Sequence, residues 1–343
     1  MKALQKASPQ KGCKIIEAPV PKAKDDYVVC KVLATSICGT DVHIYNWDRW
    51  AQNRIKPPMI FGHEFCGEVV EAGPEVRNIK VGDRVSAETH IPCHSCKQCK
   101  NGKMHICKDL KILGVDINGC FAEYATLPEI CCVKTNPALP PEICSVMEPF
   151  GNAVHAVSRS NVKDKDVSIV GDGPIGLFTV IVARALGARR IFAVGAQDYR
   201  LSLMKKLGPD YLFDARKHDV VKEIMSLTDG DGVDITLEMS GAPAAIFAGI
   251  KSTTPGGTLT LFGIPSKPVE IDLAGLIFKE IQVTSIVGRH MFDTWDQVNE
   301  LLNSGKVDLR PLLTHTFPLE KIDTAMELLR PDNIQAGKIV LIP

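Results

Sequence analysis

The chain has 343 residues, enough for two domains, and its 45% hydrophobic and 23% charged content places it among ordinary soluble globular proteins. Lys+Arg and Asp+Glu both total 40, so the formal net charge is zero and no basic field is available to hold nucleic acid or an anionic membrane. Met1 to Gln10 lacks the apolar run of a signal peptide and no apolar segment is long enough to span a bilayer, so a cytoplasmic protein is expected.

From Met1 to about Pro149 the chain is rich in Pro, Gly and short β-branched runs, such as those beginning at Tyr27 and Gly67. That texture predicts strands with turn punctuation and a mostly-β domain. Within it, Cys38-Gly39-Thr40-Asp41-Val42-His43 is followed by Gly62-His63-Glu64. Cysteine, histidine and carboxylate are ligand types that zinc accepts, and three protein ligands leave a fourth position open for water or a substrate oxygen. Thr40 and His43 then supply a hydroxyl and an imidazole beside that position. Metal, hydroxyl and imidazole together can take a proton from an alcohol, which reads as a zinc-dependent alcohol dehydrogenase.

Four more cysteines follow at Cys93, Cys96, Cys99 and Cys107, spaced x₂, x₂ and x₇. Four thiolates so close can close a tetrahedral structural zinc with no open position. An iron–sulfur run would want a last gap of three followed by Pro; here Lys108 follows. A full coordination shell does no chemistry, so this metal is assigned to stiffening a loop. Clustering and the missing signal peptide argue against a disulfide framework. Cys13, Cys30, Cys66, Cys120, Cys131, Cys132 and Cys144 read as small core hydrophobes. His90, His94 and His105 flank the lobe without a ligand role.

From about Val167 apolar runs alternate with helical stretches: Asp166 to Val170, Arg190 to Val194, Tyr211 to Asp214, Gly232 to Glu238, Gly257 to Gly263 and Ile281 to Ile286, with helices at Ile175 to Leu186 and Arg200 to Leu207. This predicts βαβ units around a parallel sheet. Trp295 to Leu302 reads as a further helix and Gly337 to Leu341 as a closing strand. Between the first strand and first helix of this half lies Gly171-Asp172-Gly173-Pro174-Ile175-Gly176, a turn that suits the pyrophosphate of a dinucleotide. Asp172, a carboxylate near a pyrophosphate, must point away. The same fingerprint calls for an acidic residue ~20 positions on, against the adenosine ribose; the strand end there is Gly195, with Asp198 already in the next helix. A missing carboxylate removes the repulsion that excludes a 2′-phosphate, and Arg200 is close enough to meet ribose or phosphate. NADP use, or tolerance of both cofactors, is therefore open beside NAD.

Taken in order, the motif from Cys38 to His43, the Gly62-His63-Glu64 triplet, the four-cysteine lobe and the glycine turn resemble the zinc-containing medium-chain dehydrogenases. The resemblance runs over nearly the whole chain. It implies an α/β protein with a mostly-β GroES-like catalytic domain at 1–149, to which 289–343 return, and a Rossmann doubly wound domain at 150–288. It implies two zinc ions per chain, one at Cys38, His63 and Glu64 and one at the four-cysteine lobe. Thr40 and His43 would form the proton relay, and Glu148 would lie near the metal and help ligand exchange. Ile175, Gly195, Arg200, Phe262, Gly263, Ile264, Ile286 and Val287 would fall along NAD. A small-molecule substrate and a homotetramer complete what the family implies.

Overall fold

The β-branched run beginning at Tyr27 forms the longest strand, Tyr27–Ser36, and the first half is built around it. In this computed structural model, which describes residues 1–343, the strand pairs antiparallel with Glu64–Ala72, Tyr124–Pro128 and Lys338–Ile342. Arg84–Ala87, Cys132–Lys134 and Leu313–Pro318 complete a seven-stranded sheet. A small sheet of Lys2–Lys6, Lys14–Glu17 and Met59–Ile60 lies apart from it. The main apolar core of this unit includes Val28, Val32, Phe61, Phe65, Phe121, Ile339 and Leu341. Phe61 and Phe121 meet edge to face at 5.0 Å between ring centres, a favoured aromatic arrangement.

The second half is a six-stranded, all-parallel sheet in the chain order 3-2-1-4-5-6, with Asp166–Val170 as its first strand in sequence. The helices Pro174–Ala185, Asp198–Lys206, Val220–Leu227 and Pro243–Ser252 connect its strands. Asp166–Val170 is buried along its whole length, as expected for a strand covered on both faces. The strand order reverses beside that strand, and in such sheets ligands bind at that place outside the carboxyl ends.

Two compact units result: residues 1–149 with 290–299 and 313–343, and residues 150–289 with 300–312. The sequence reading returns all of 289–343 to the first unit. Residues 300–312 instead lie with the second, and Leu301, Leu302, Leu309 and Leu312 are buried. Helices also enter the first half where strands are expected, at Gly39–Asn46, Arg49–Arg54 and the start of Met147–Ser160.

Asp166 ties the sheet's lower end together. Its Oδ1 accepts from Arg189 Nε at 2.8 Å and from Arg190 Nε at 3.0 Å. Burial alone would raise this carboxyl, but the Arg190 and Arg189 guanidinium groups bring it down from 3.8 to about 2. A depressed folded-state pKa stabilises above the unfolded value and is lost as pH falls through the folded one, here between about pH 4 and 2. Asp166→Asn is therefore expected to cost about 1–2 kcal/mol at neutral pH. The gap to the parent should close as pH approaches the lower end of that window; urea midpoints at both pH values check it.

Candidate metal and cofactor sites

Cys38 is the N-cap of helix Gly39–Asn46, and its backbone N–H donates to Asp41 Oδ2 at 2.8 Å. His63 and Glu64 enter strand Glu64–Ala72 from Gly62, whose φ is +88°. Only glycine fits there: a Cβ would lie 2.2 Å from Phe121 Cδ1, and one on Gly119 would lie 2.0 Å from Gly62 O. The turn is thus wedged between Phe121 and a second glycine, which fixes the direction of the next two side chains.

Cys38, His63 and Glu64 each bring a ligand atom to within 4.8 Å of the others. His63 Nδ1 lies 3.8 Å from Asp41 Oδ1, and Glu64 is fully buried. Glu64 Oε2 accepts from Ser36 Oγ and Lys338 Nζ, while Oε1 has no partner; neither have His63 Nδ1 and Asp41 Oδ1. Burial works to lower the His63 pKa, but Cys38 and Asp41 outweigh it and push it up to about 10. Burial likewise raises Asp41, to about 6. Buried acceptors left unpaired are costly, and this pocket of thiol, imidazole and carboxylates favours added positive charge. Donor set and electrostatics both fit a zinc ion.

Thr40 is half-buried on the same helix, and His43 is exposed one turn later with Nδ1 on Asp48 Oδ2. Trp50 packs beside the His43 ring, 5.9 Å away. Glu148 is buried, its Oε1 accepts from Thr89 Oγ1 at 3.4 Å, and its charge raises His63. His90 is half-buried, His94 exposed, and His105 buried against His290 at 5.0 Å between rings.

In the lobe, Cys93, Cys96, Cys99 and Cys107 also bring their sulfurs within 4.8 Å of one another. Backbone N–H groups of Cys93 and Cys96 donate to Cys107 Sγ at 3.3 Å and Cys93 Sγ at 3.4 Å. Such donors stabilise thiolates, so the four fit a second zinc with a closed shell.

The glycine turn of the second unit behaves as its pattern predicts. Gly171 has φ +124°, Gly173 caps helix Pro174–Ala185 with Pro174 in its first turn, and a Cβ on Gly176 would lie 1.8 Å from Gly171 O. Above it lies a cleft of about 360 Å³ lined by Gly171, Gly195, Ala215, His218 and Ser240. Arg200 is half-buried in helix Asp198–Lys206. Ile175, Phe262 and Gly263 are half-buried, Ile286 is buried, and Ile264 and Val287 are exposed. Asp198 is exposed and pairs with Arg216 on the surface.

Sequence reasoning passed over three residues here. Asp41 stood inside the quoted motif, and its helical offset from Cys38 was the available signal. Ser36 and Lys338 had none: Ser36 meets Glu64 only once Tyr27–Ser36 pairs with Glu64–Ala72, and Lys338 only once the terminal strand pairs with Tyr27–Ser36.

Residues 24–137 match the alcohol dehydrogenase GroES-like domain, and residues 174–304 match the zinc-binding dehydrogenase domain. The chain is 49% identical to L-threonine 3-dehydrogenase of Bacillus velezensis, with 100% of this chain and 99% of that protein covered. A zinc-binding dehydrogenase from Sinorhizobium meliloti, bound to NADP, superimposes with a TM-score of 0.92 at 28% identity, covering 100% and 99% of the chains. The 2R,3R-butanediol dehydrogenase of Bacillus subtilis does so at 0.90 and 32%, with the same coverage. No helix is long and apolar enough to cross a membrane. The expected GroES-like and Rossmann architecture is thus the observed one, and the chain belongs to the zinc-binding alcohol dehydrogenases.

Proposed function

We propose that the chain oxidises the secondary hydroxyl of L-threonine to 2-amino-3-oxobutanoate. The observation that carries this is full-length identity of 49% to an L-threonine 3-dehydrogenase, together with a metal triad drawn from Cys38, His63 and Glu64. When bound, zinc supplies Lewis acidity that lowers an O–H pKa, and a nicotinamide dinucleotide takes up the hydride. The chain's own residues handle the rest. Thr40 receives the substrate's hydroxyl proton while passing its own to His43. Because His43 Nδ1 rests on Asp48, its N–H donates there and Nε2 is left to accept, with solvent beyond. Asp41, with Oδ1 3.8 Å from His63 Nδ1, and Glu148 both add negative charge beside the His63 ring.

The butanediol dehydrogenase likeness keeps a second reading, a polyol or secondary-alcohol dehydrogenase, in play. Steady-state rates with L-threonine, 2,3-butanediol and sorbitol decide between them. The proposal expects kcat/KM to favour L-threonine by at least about a hundredfold, the discrimination available when a site pairs with polar groups the wrong substrate lacks. Preference for either diol overturns it.

Self-association belongs to the same reading. Strand Gln282–Ser285 is the edge of the parallel sheet. Near it in sequence, Ile277 and Phe278 are 71% and 88% exposed and Ile264 is 86% exposed. A bare edge with large apolar side chains is a surface that natural proteins cover. A tetramer needs more than one such contact, and this is the strongest candidate for one. Ile277→Glu with Phe278→Glu should raise the dissociation constant of that contact at least about tenfold, giving smaller species by analytical ultracentrifugation.

A further inference from the structure

Gly195 stands at the end of strand Arg190–Gly195, where the dinucleotide fingerprint calls for an acidic side chain. The structure supplies a carboxylate to that place from elsewhere. Asp172, inside the glycine turn, directs its side chain to the strand end, where Oδ2 accepts from the backbone N–H groups of Ala196 and Gln197, each at 2.6 Å. A Cβ added at Gly195 would lie 2.8 Å from both Asp172 Cβ and Asp172 Oδ2. Asp172, with the Leu201 methyl also at 2.8 Å, thus occupies the space a side chain at 195 would need.

We infer that Asp172 is the residue that sets cofactor choice, making this chain prefer NAD over NADP although Gly195 lacks the expected acid. This rests on the dinucleotide-dependent reading above. Two physical effects act together. A buried carboxylate at the strand end repels the dianionic 2′-phosphate that distinguishes NADP, and like-charge juxtaposition is costly in a partly dry site. The same carboxylate also engages the two N–H donors directly after the strand, which would otherwise be available to a phosphate. Arg200 does not reverse this balance: burial lowers its pKa, and the Asp172 charge acts on it in the opposite sense, so part of its field is spent on Asp172.

The test is equilibrium titration of NADH and NADPH by nicotinamide fluorescence, on zinc-loaded parent, Asp172→Asn, and Asp172→Gly combined with Gly195→Asp. The asparagine variant keeps an oxygen acceptor for both N–H groups while removing the charge, which protects the fold. The parent should bind NADH at least about tenfold tighter than NADPH, and Asp172→Asn should reduce that ratio at least about tenfold. The double variant should restore it, because glycine at 172 removes both atoms that block a side chain at 195 and the Leu201 methyl, the remaining neighbour at 2.8 Å, is the far end of a flexible side chain. A parent that binds NADPH as tightly as NADH, or an Asp172→Asn protein that binds both with the parental ratio, overturns the inference. A folded parent that binds neither nucleotide overturns the dinucleotide reading itself, and the inference with it.

Discussion

Cys38→Ala is expected to lose one zinc per chain and to lower threonine turnover at least about a thousandfold, while the fold persists. Cys38 caps a helix at the rim of its pocket, and the core beneath is carried by Phe61, Phe65 and Phe121. Its removal leaves His63 and Glu64, two ligands for an ion that needs three protein donors. The Lewis acidity lost is worth several kcal/mol, and about 1.4 kcal/mol is tenfold in rate. Cys107→Ala should behave differently. It would empty the other cluster, whose four sulfurs can close a zinc's coordination shell with no open position, so the loss should appear first in thermal stability. Metal analysis with kinetics and melting curves on the two variants separates the roles. Equal effects of both on turnover, with unchanged metal content in Cys38→Ala, would contradict the assignment.

The second large effect concerns Lys338. It is only 2% exposed, and its Nζ donates to Glu64 Oε2 and to Ile37 O, the latter at 2.7 Å. Glu64 is wholly buried, so Lys338→Met would leave a carboxylate in the core with Ser36 as its remaining side-chain donor. Breaking a buried pair by removing one partner costs about 3–5 kcal/mol, far more than the net worth of the intact pair. Combining Lys338→Met with Glu64→Gln should therefore recover most of the loss, and urea midpoints of the single and double variants measure it. A single variant within about 1 kcal/mol of the parent would show that the buried charge does not depend on Lys338.

The fold was legible wherever pattern and local geometry coincide. Asp166 to Val170 reads as a buried strand because all its residues are covered, and the glycine turn after it announces itself by spacing. The clustering of two groups of potential metal ligands was legible for the same reason, since ligand types at short spacing stay close whatever the packing around them. Helix Gly39–Asn46 was not, since its eight residues include Gly39, Thr40 and Val42 and show no apolar stripe. Nor was the destination of 300–312, which depends on which unit buries Leu309 and Leu312. Lys338 and Asp172 share one lesson. Each acts through a partner brought close by strand pairing, and single-sequence spacing carries no trace of a contact 274 residues away. Gly195 taken alone suggested an open phosphate site; the neighbour that fills it came from the adjacent strand end.

Turnover is expected to need an open metal centre at Cys38 that receives the substrate. Replacing zinc by cobalt(II) makes that centre visible through its thiolate and d–d bands. The expected result is two cobalt ions per parent chain, one per Cys38→Ala chain, and a shift of the Cys38-dependent bands when L-threonine is added. Bands that stay fixed at threonine concentrations that saturate turnover, or a Cys38→Ala chain that keeps both ions, would contradict it.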